Sequence, residues 1–174
     1  PFAQISQEEL ANEPVAISIG STTLGVLTTD AEGYIDQALD VTAAAQAWEA
    51  AVVSPPSPAH HVLVATEGSH TVGFVAVGPS GEEDARPGEA EVAALLVEPR
   101  WGRRGHGSRL LAAAVDFLRQ DGVTGLVAWV PDGDRASTAF YQSAGWEPDG
   151  TARILEADGG SARETRWHVA LEES

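Results

Sequence analysis

Where the apolar run Val92 to Val97 ends, the chain reads Arg103-Arg104-Gly105-His106-Gly107-Ser108 and then passes into residues with helical spacing. A strand end, a glycine-rich turn and a helix start therefore follow one another directly. A helix N-terminus carries N–H groups without intrahelical partners and a partial positive charge, so it can seat a phosphate. Gly105 and Gly107 lack a Cβ and allow a ligand to approach the backbone closely, and Arg103 and Arg104 can add charge-assisted contacts. A tight strand-to-helix turn needs the same glycines even when it binds nothing, and the turn alone leaves both readings open. The stretch lacks the spacing and Lys-Ser/Thr ending of a Walker loop and the third glycine of a dinucleotide-binding turn. Nucleoside triphosphate and dinucleotide binding are disfavoured accordingly.

The charge balance narrows the partners. Over 174 residues, 26 acids face 10 bases, a net charge of -16, and every base is arginine. Up to Glu98 there are 15 acids and one arginine, Arg86; from Pro99 onward there are 11 acids and nine arginines. Nucleic acid and anionic membrane would be repelled by such a field. The acidity serves solubility, or it draws a cationic substrate to the first half while the arginine-rich half receives an anionic one. With no cysteine, a disulfide framework, a thiolate metal site and a cysteine nucleophile are all excluded. The histidines at 60, 61, 70, 106 and 168 have no metal-ligand spacing. Asp132-Gly133-Asp134 lacks the rest of a calcium loop and reads as a turn and helix cap. No metal is expected.

The elements that position this turn follow from periodicity. The length suits one domain, and 43% hydrophobic residues with a mean hydropathy of -0.10 suit a soluble globular protein. No apolar run approaches the roughly 20 residues of a membrane span, and no basic region followed by an apolar core opens the chain. A cytoplasmic location is the expectation. Residues 1–21 have weak periodicity and read as a tail or poorly determined lead-in to a domain over 22–174. Thr22 to Leu27 reads as a strand, and Ala31 to Val53 as helical material, presumed to be two helices because of its length, Gly33 and Thr42. Tyr34 and Trp48 on it could line an acceptor pocket or pack the core. Ser54-Pro55-Pro56-Ser57-Pro58 breaks the helix. His61 to Ala65 and Val72 to Val77 read as a hairpin. A polar loop over Ser80 to Gly88 leads to the strand Val92 to Val97, which Pro99 stops. Leu110, Leu111, Ala114, Val115 and Leu118 mark a helix from about Gly107, with Gly122 just past its end. Leu126 to Val130 is the next strand, Asp134 caps a helix over Arg135 to Ala144, and Arg153 to Leu155 and Arg166 to Leu171 close the chain as strands. The fold class is α/β, a mixed sheet with an antiparallel meander first, a central βα turn and a C-terminal βαββ unit.

With the glycine turn placed between these elements, the chain resembles the GCN5-related N-acetyltransferase (GNAT) superfamily. Its central motif is Gln/Arg-x-x-Gly-x-Gly/Ala after a strand carrying Val-x-Pro, here Val97-Glu98-Pro99 and the window Gly102 to Gly107. Gly102 stands where Gln or Arg is usual, which removes one side-chain phosphate contact that Arg103 or Arg104 can replace. A second segment, Asp134 to Trp146, resembles the family's Asn-x-x-Ala…Tyr…Gly-Phe stretch, with Asp134, Ser137 and Trp146 in place of Asn, Ala and Phe. The resemblance spans about residues 22–171 and is specific from Glu89 to Trp146.

The resemblance implies acetyl-CoA as cosubstrate, its pyrophosphate on Gly102 to Ser108, its pantetheine arm along the backbone of Leu95, Leu96 and Val97, and Asp134 at the site. The side chains of Leu95, Leu96 and Val97 are expected in the core. It also implies direct transfer of the acetyl group to a primary amine, with backbone N–H groups near Leu96 or Val97 stabilising the oxyanion. An alkylammonium, with a pKa of about 10.4, must lose a proton before it attacks. Glu91, fourteen residues before Gly105, matches the general base of the histone-acetylating branch, and Glu89, on the same strand face, competes for the role. Tyr141 matches the acid that protonates the departing thiolate. The acceptor is a small cationic molecule or a peptide amine, and a homodimer accords with relatives. The rivals are an acyl-CoA-binding module without activity and a transferase with another acyl group or a hydroxyl acceptor.

Overall fold

The computed structural model describes residues 14–19, 22–28, 53–157 and 160–171. The helical material expected from Ala31, with Tyr34 and Trp48, lies outside the described residues except for Val53. Inside the lead-in, Pro14–Ile19 forms strand β1, paired antiparallel with β2 (Thr22–Thr28). Their backbones approach β5, β7 and β8 of the main sheet, so the lead-in, read from the sequence as a tail or poorly determined, contains a strand.

The main sheet holds β3 (His61–Glu67), β4 (His70–Pro79), β5 (Glu89–Val97), β6 (Gly125–Pro131), β7 (Glu147–Ala157) and β8 (Gly160–Ala170), in the order β3-β4-β5-β6-β8-β7. β3, β4 and β5 form the antiparallel meander. Helix α1 (His106–Gln120) carries the chain over to β6, which pairs parallel with β5. Helix α2 (Arg135–Ser143) leads to the closing antiparallel pair. The closing strands run well beyond the segments Arg153 to Leu155 and Arg166 to Leu171 from which they were expected, because their extra residues are mostly polar or charged and carry no apolar stripe.

Among the described residues the main apolar cluster lies on one face of the sheet. Leu110, Leu111, Ala114 and Leu118 recur at three- and four-residue spacing and bury the inner side of α1 against Val75, Val77, Ala90, Val92, Leu126 and Ala128. Leu118 and Leu126 are fully buried, each worth about 2 kcal/mol relative to an exposed position. Period-two alternation puts Glu91, Val127, Trp129, Glu164 and Arg166 on the opposite face. Among the described residues no helix is long and apolar enough to cross a membrane.

Candidate active site

The turn after β5 is built from the backbone outward. The Glu98 N–H donates to the Val72 carbonyl at 2.8 Å, extending the ladder one residue. Pro99–Trp101 then forms a 3₁₀ turn. A Cβ on Gly102 would lie 3.0 Å from the Pro99 carbonyl oxygen, so this turn leaves little room for the Gln or Arg of the family pattern. Arg103 (φ 59°) and Gly105 (φ 78°) are left-handed and swing the chain into α1. Gly105 is the N-cap and no side chain caps the helix. The first helical bond runs from the Arg109 N–H to the Gly105 carbonyl at 3.0 Å, so the N–H groups of His106, Gly107 and Ser108 lie ahead of the helical ladder. They are donors at the positive end of a helix, flanked by the exposed Arg103 and Arg104.

The two cradle glycines have different surroundings. A Cβ on Gly105 would meet nothing within 4 Å, so that residue is needed for its backbone conformation and leaves the main chain approachable. A Cβ on Gly107 would stand 3.4 Å from Phe140 Cε2 and 3.7 Å from Val97 Cγ2. Gly107 therefore lies close to Phe140 and Val97, where a Cβ would be in ordinary van der Waals contact.

The His106 side chain packs inward. Its imidazole is buried and turned toward β3, where Nε2 lies 3.0 Å from Glu67 Oε2. Arg109 Nη2 lies 3.1 Å from Nδ1. A guanidinium has only donors, so Nδ1 accepts and Nε2 carries the hydrogen that Glu67 receives. His106 can offer the cradle its main-chain N–H while its side chain ties the helix start to β3. Arg104 lies 3.6 Å from Glu67 and stacks over the Trp101 ring at 4.8 Å. Glu67 and Arg109 were missed in the sequence, since nothing local joins residue 67 to residue 106.

β5 and β6 pair over only Glu89–Glu91 against Gly125–Val127 and then separate. A bulge at Ala93 shifts the register with β4, so that Val77 opposes Val92 while Ala76 opposes Ala94. The bulge reverses the alternation: Glu91 faces away from the helices, yet Leu95 and Val97 pack against the core. Leu96 is 51% exposed and is not a core residue. The Glu98–Val72 hydrogen bond also fixes which groups are free. Pairs two residues apart repeat its pattern, so Leu96 directs its N–H and carbonyl at β4, and the backbone groups of Leu95 and Val97 face the gap. The expected set of three backbone positions reduces to two.

Glu91 sits where the strands part and is 9% exposed. Burial pushes its carboxyl above the usual range; Arg153 opposes the rise, and Glu82 and Glu164 add to it. Glu89 is less buried and lies at the strand start. Tyr141 is buried in the helix-side core, its ring 4.8 Å from that of Trp146. Burial, reinforced by the charge of Asp134, lifts its phenol above the ordinary value. Asp134 Oδ1 accepts the Ser137 N–H at 2.9 Å, the N-cap of α2. Glu91 and Tyr141 thus lie on opposite faces of the sheet, with the β5–β6 gap as the passage between them.

A parallel junction that opens after three residue pairs, followed by a glycine turn and an uncapped helix start, is the framework of a coenzyme A-dependent acetyltransferase. The chain belongs to the acetyltransferase (GNAT) family, whose model matches residues 27–146. It is 31% identical over 134 residues to the N-alpha-acetyltransferase RimI of Mycobacterium tuberculosis, covering 75% of this chain and 82% of the relative. Among solved structures it resembles the ribosomal-protein-alanine N-acetyltransferase of Brucella melitensis, at TM-score 0.60 and 24% identity over 79% of this chain and 83% of that one. YncA of Salmonella typhimurium, solved with its cofactor acetyl-CoA, aligns at TM-score 0.60 and 22% identity over 80% and 78%. The family uses acetyl-CoA, and the chain is an N-acetyltransferase.

Proposed function

We propose that this enzyme acetylates the α-amine of a polypeptide, with Glu91 as proton acceptor and the turn Gly102 to Ser108 as the pyrophosphate seat. The observation that carries the reading is the divergence of β5 from β6 at Glu91, which joins a buried carboxylate to the mouth of a gap lined by free backbone groups. The residues fit the cosubstrate. Main-chain N–H groups of His106, Gly107 and Ser108 with Arg103 and Arg104 would hold the diphosphate, and Leu95 and Val97 would pair with the amide-bearing arm. Acetyl-CoA supplies a thioester and, after transfer, a thiolate leaving group.

Glu91 takes the ammonium proton. For an α-amine, with a pKa of about 7.7–8.0, that demand is milder than for a lysine-type amine at about 10.4. Tyr141 keeps its proton more firmly than an ordinary phenol, so its role is that of a hydrogen-bond donor that steadies negative charge on sulfur rather than a full proton donor. Asp134 orients α2 and so Tyr141. Tyr141→Phe is expected to lower kcat about 10- to 100-fold with acetyl-CoA affinity within about twofold; steady-state kinetics beside calorimetric titration measure both, and an unchanged kcat would remove Tyr141 from the chemistry.

The choice of an α-amine draws on the similarity to RimI and to the alanine N-acetyltransferases. Its test is acetyl-CoA-dependent thiol release on a panel of acceptors: alanine-initiated peptides with free N-termini, the same peptides blocked at the N-terminus but carrying lysine, and polyamines. Turnover confined to free N-termini is expected. Faster turnover of blocked peptides or polyamines would overturn the acceptor class. Thermal stabilisation by coenzyme A without turnover on any amine would overturn the enzyme reading of this site.

A further inference from the structure

The loop over residues 80–88 joins two neighbouring strands, yet its carboxylates reach three strands beyond them. Glu82 Oε1 accepts from Trp129 Nε1 of β6 at 3.0 Å and from Arg153 Nη1 of β7 at 3.2 Å. Asp84 accepts both terminal nitrogens of Arg166 on β8, at 2.8 and 2.7 Å. Arg166 Nε also donates to Asp149 at 2.6 Å. With the strand order β4-β5-β6-β8-β7, the loop is a strap laid across β5 and β6 on the face that carries Glu91.

Arg153 joins this strap to the sheet. Its Nε donates to Glu164 Oε2 at 2.8 Å, its Nη1 to the strap, and its guanidinium lies over the Trp129 ring at 4.2 Å. Titratable and charged groups surround Glu91 on this face: Glu82 from the strap, Arg153 from β7, Glu164 from β8, Glu89 from β5 itself, and His60, whose imidazole covers Gly78, the β4 partner of Glu91, and bonds Ser57 at 2.9 Å. Arg166 is engaged by Asp84 and Asp149, and His168 of β8 lies 3.7 Å from Glu147. Arg153 thus donates to two carboxylates, those of Glu82 and Glu164, and Glu91 lies on the same face beside this group, paired with Val127 two residues from the Trp129 ring that Arg153 covers. Buried charge of one sign needs a compensating partner.

We propose that Arg153 is a positioning residue for the proton acceptor: held rigidly by Trp129, Glu82 and Glu164, it supplies the positive charge that lets Glu91 work as a carboxylate in a buried site. The inference rests on the reading of Glu91 as proton acceptor. The direction of each influence supports it, since Arg153 lowers the Glu91 pKa that burial, Glu82 and Glu164 raise. The strap then serves the chemistry as well as the fold, because Glu82 both anchors Arg153 and works against it.

The test is the acid limb of kcat/KM against pH, measured on the full chain with saturating acetyl-CoA and a peptide amine. Removing the cation disfavours ionised Glu91, so Arg153→Gln should move the limb to higher pH by about one unit. Arg153→Lys, which keeps the charge, should restore at least half of that shift. Glu82→Gln keeps an oxygen to accept from Trp129 and Arg153 but loses the negative charge, so the limb should move to lower pH. Circular dichroism and thermal melts confirm folding. If Glu91→Gln lowers the rate and moves the limb up to the pKa of the amine while Arg153→Gln leaves it in place, the role of Arg153 is wrong and that of Glu91 stands. If Glu91→Gln leaves rate and limb unchanged, the underlying reading of Glu91 fails. Should Arg153→Gln not fold, Arg153→Met, which keeps an apolar side chain over Trp129 without the charge, takes its place: a limb that stays, or moves downward, overturns the proposal.

Discussion

Replacing Gly105 with glutamate is expected to weaken coenzyme A binding about 100-fold or more, equivalent to about 2.7 kcal/mol. Two effects add. Gly105 sits at φ 78°, and an L-residue held there costs roughly 1–2 kcal/mol. A carboxylate at the N-cap of α1 then opposes the diphosphate among the N–H groups of His106, Gly107 and Ser108. Because a Cβ at this position meets nothing within 4 Å, the protein should still fold, with its melting temperature only modestly lowered. Gly105→Asn separates the two contributions, since asparagine tolerates the left-handed region and carries no charge; it should keep affinity within about tenfold of the parent. Calorimetric titration with coenzyme A measures both. Retention of parental affinity by Gly105→Glu would move the diphosphate away from this turn.

The second large effect is expected at Glu91. Glutamine there keeps shape and hydrogen-bonding capacity but cannot take a proton, so kcat should fall about 100- to 10,000-fold, with acetyl-CoA affinity preserved because the cradle lies at the other end of β5. Raising the pH should restore part of the lost rate as the free amine accumulates. In the parent enzyme, burial raises the Glu91 carboxyl; the deprotonated, working form is therefore lost on acidification at a higher pH than for an ordinary glutamate near 4.3. Full activity of Glu91→Gln at neutral pH would transfer the role to Glu89 or to a chain of water.

Most of what surrounds these two residues was legible in the chain because it depends on local rules. Leu110, Leu111, Ala114 and Leu118 announce α1 by spacing, Asp134 announces α2 by its capping chemistry, and the run from Val97 to Ser108 announces the turn. The features that escaped reading depend on distant partners or on a single inserted residue. Nothing in Ala93-Ala94 marks a bulge, yet it turns Leu96 to solvent and limits the free backbone groups to those of Leu95 and Val97. The packing role of His106 has no local sign of its partner, since Glu67 arrives from β3 to meet the buried imidazole. Arg153 and Glu82 are separated by 71 residues; an arginine beside Ile154 in a closing strand and an acid in a polar loop carry no sign of each other. The ends of β7 and β8 were underestimated for the same reason, since pairing across a polar ladder leaves no apolar period.

The early parting of β5 and β6 divides the sheet into two leaves, β3-β4-β5 and β6-β8-β7, sewn together by a seam three residue pairs long. A molecule lying in the gap, bonded to Leu95 and Val97 as a missing strand would be, lengthens that seam. On the reading proposed above, the cosubstrate is a structural member as well as a reactant, joining the two leaves beside Glu91. The strap carried by one leaf and fastened by Arg153 and Arg166 to the other is a second stitch between the two leaves.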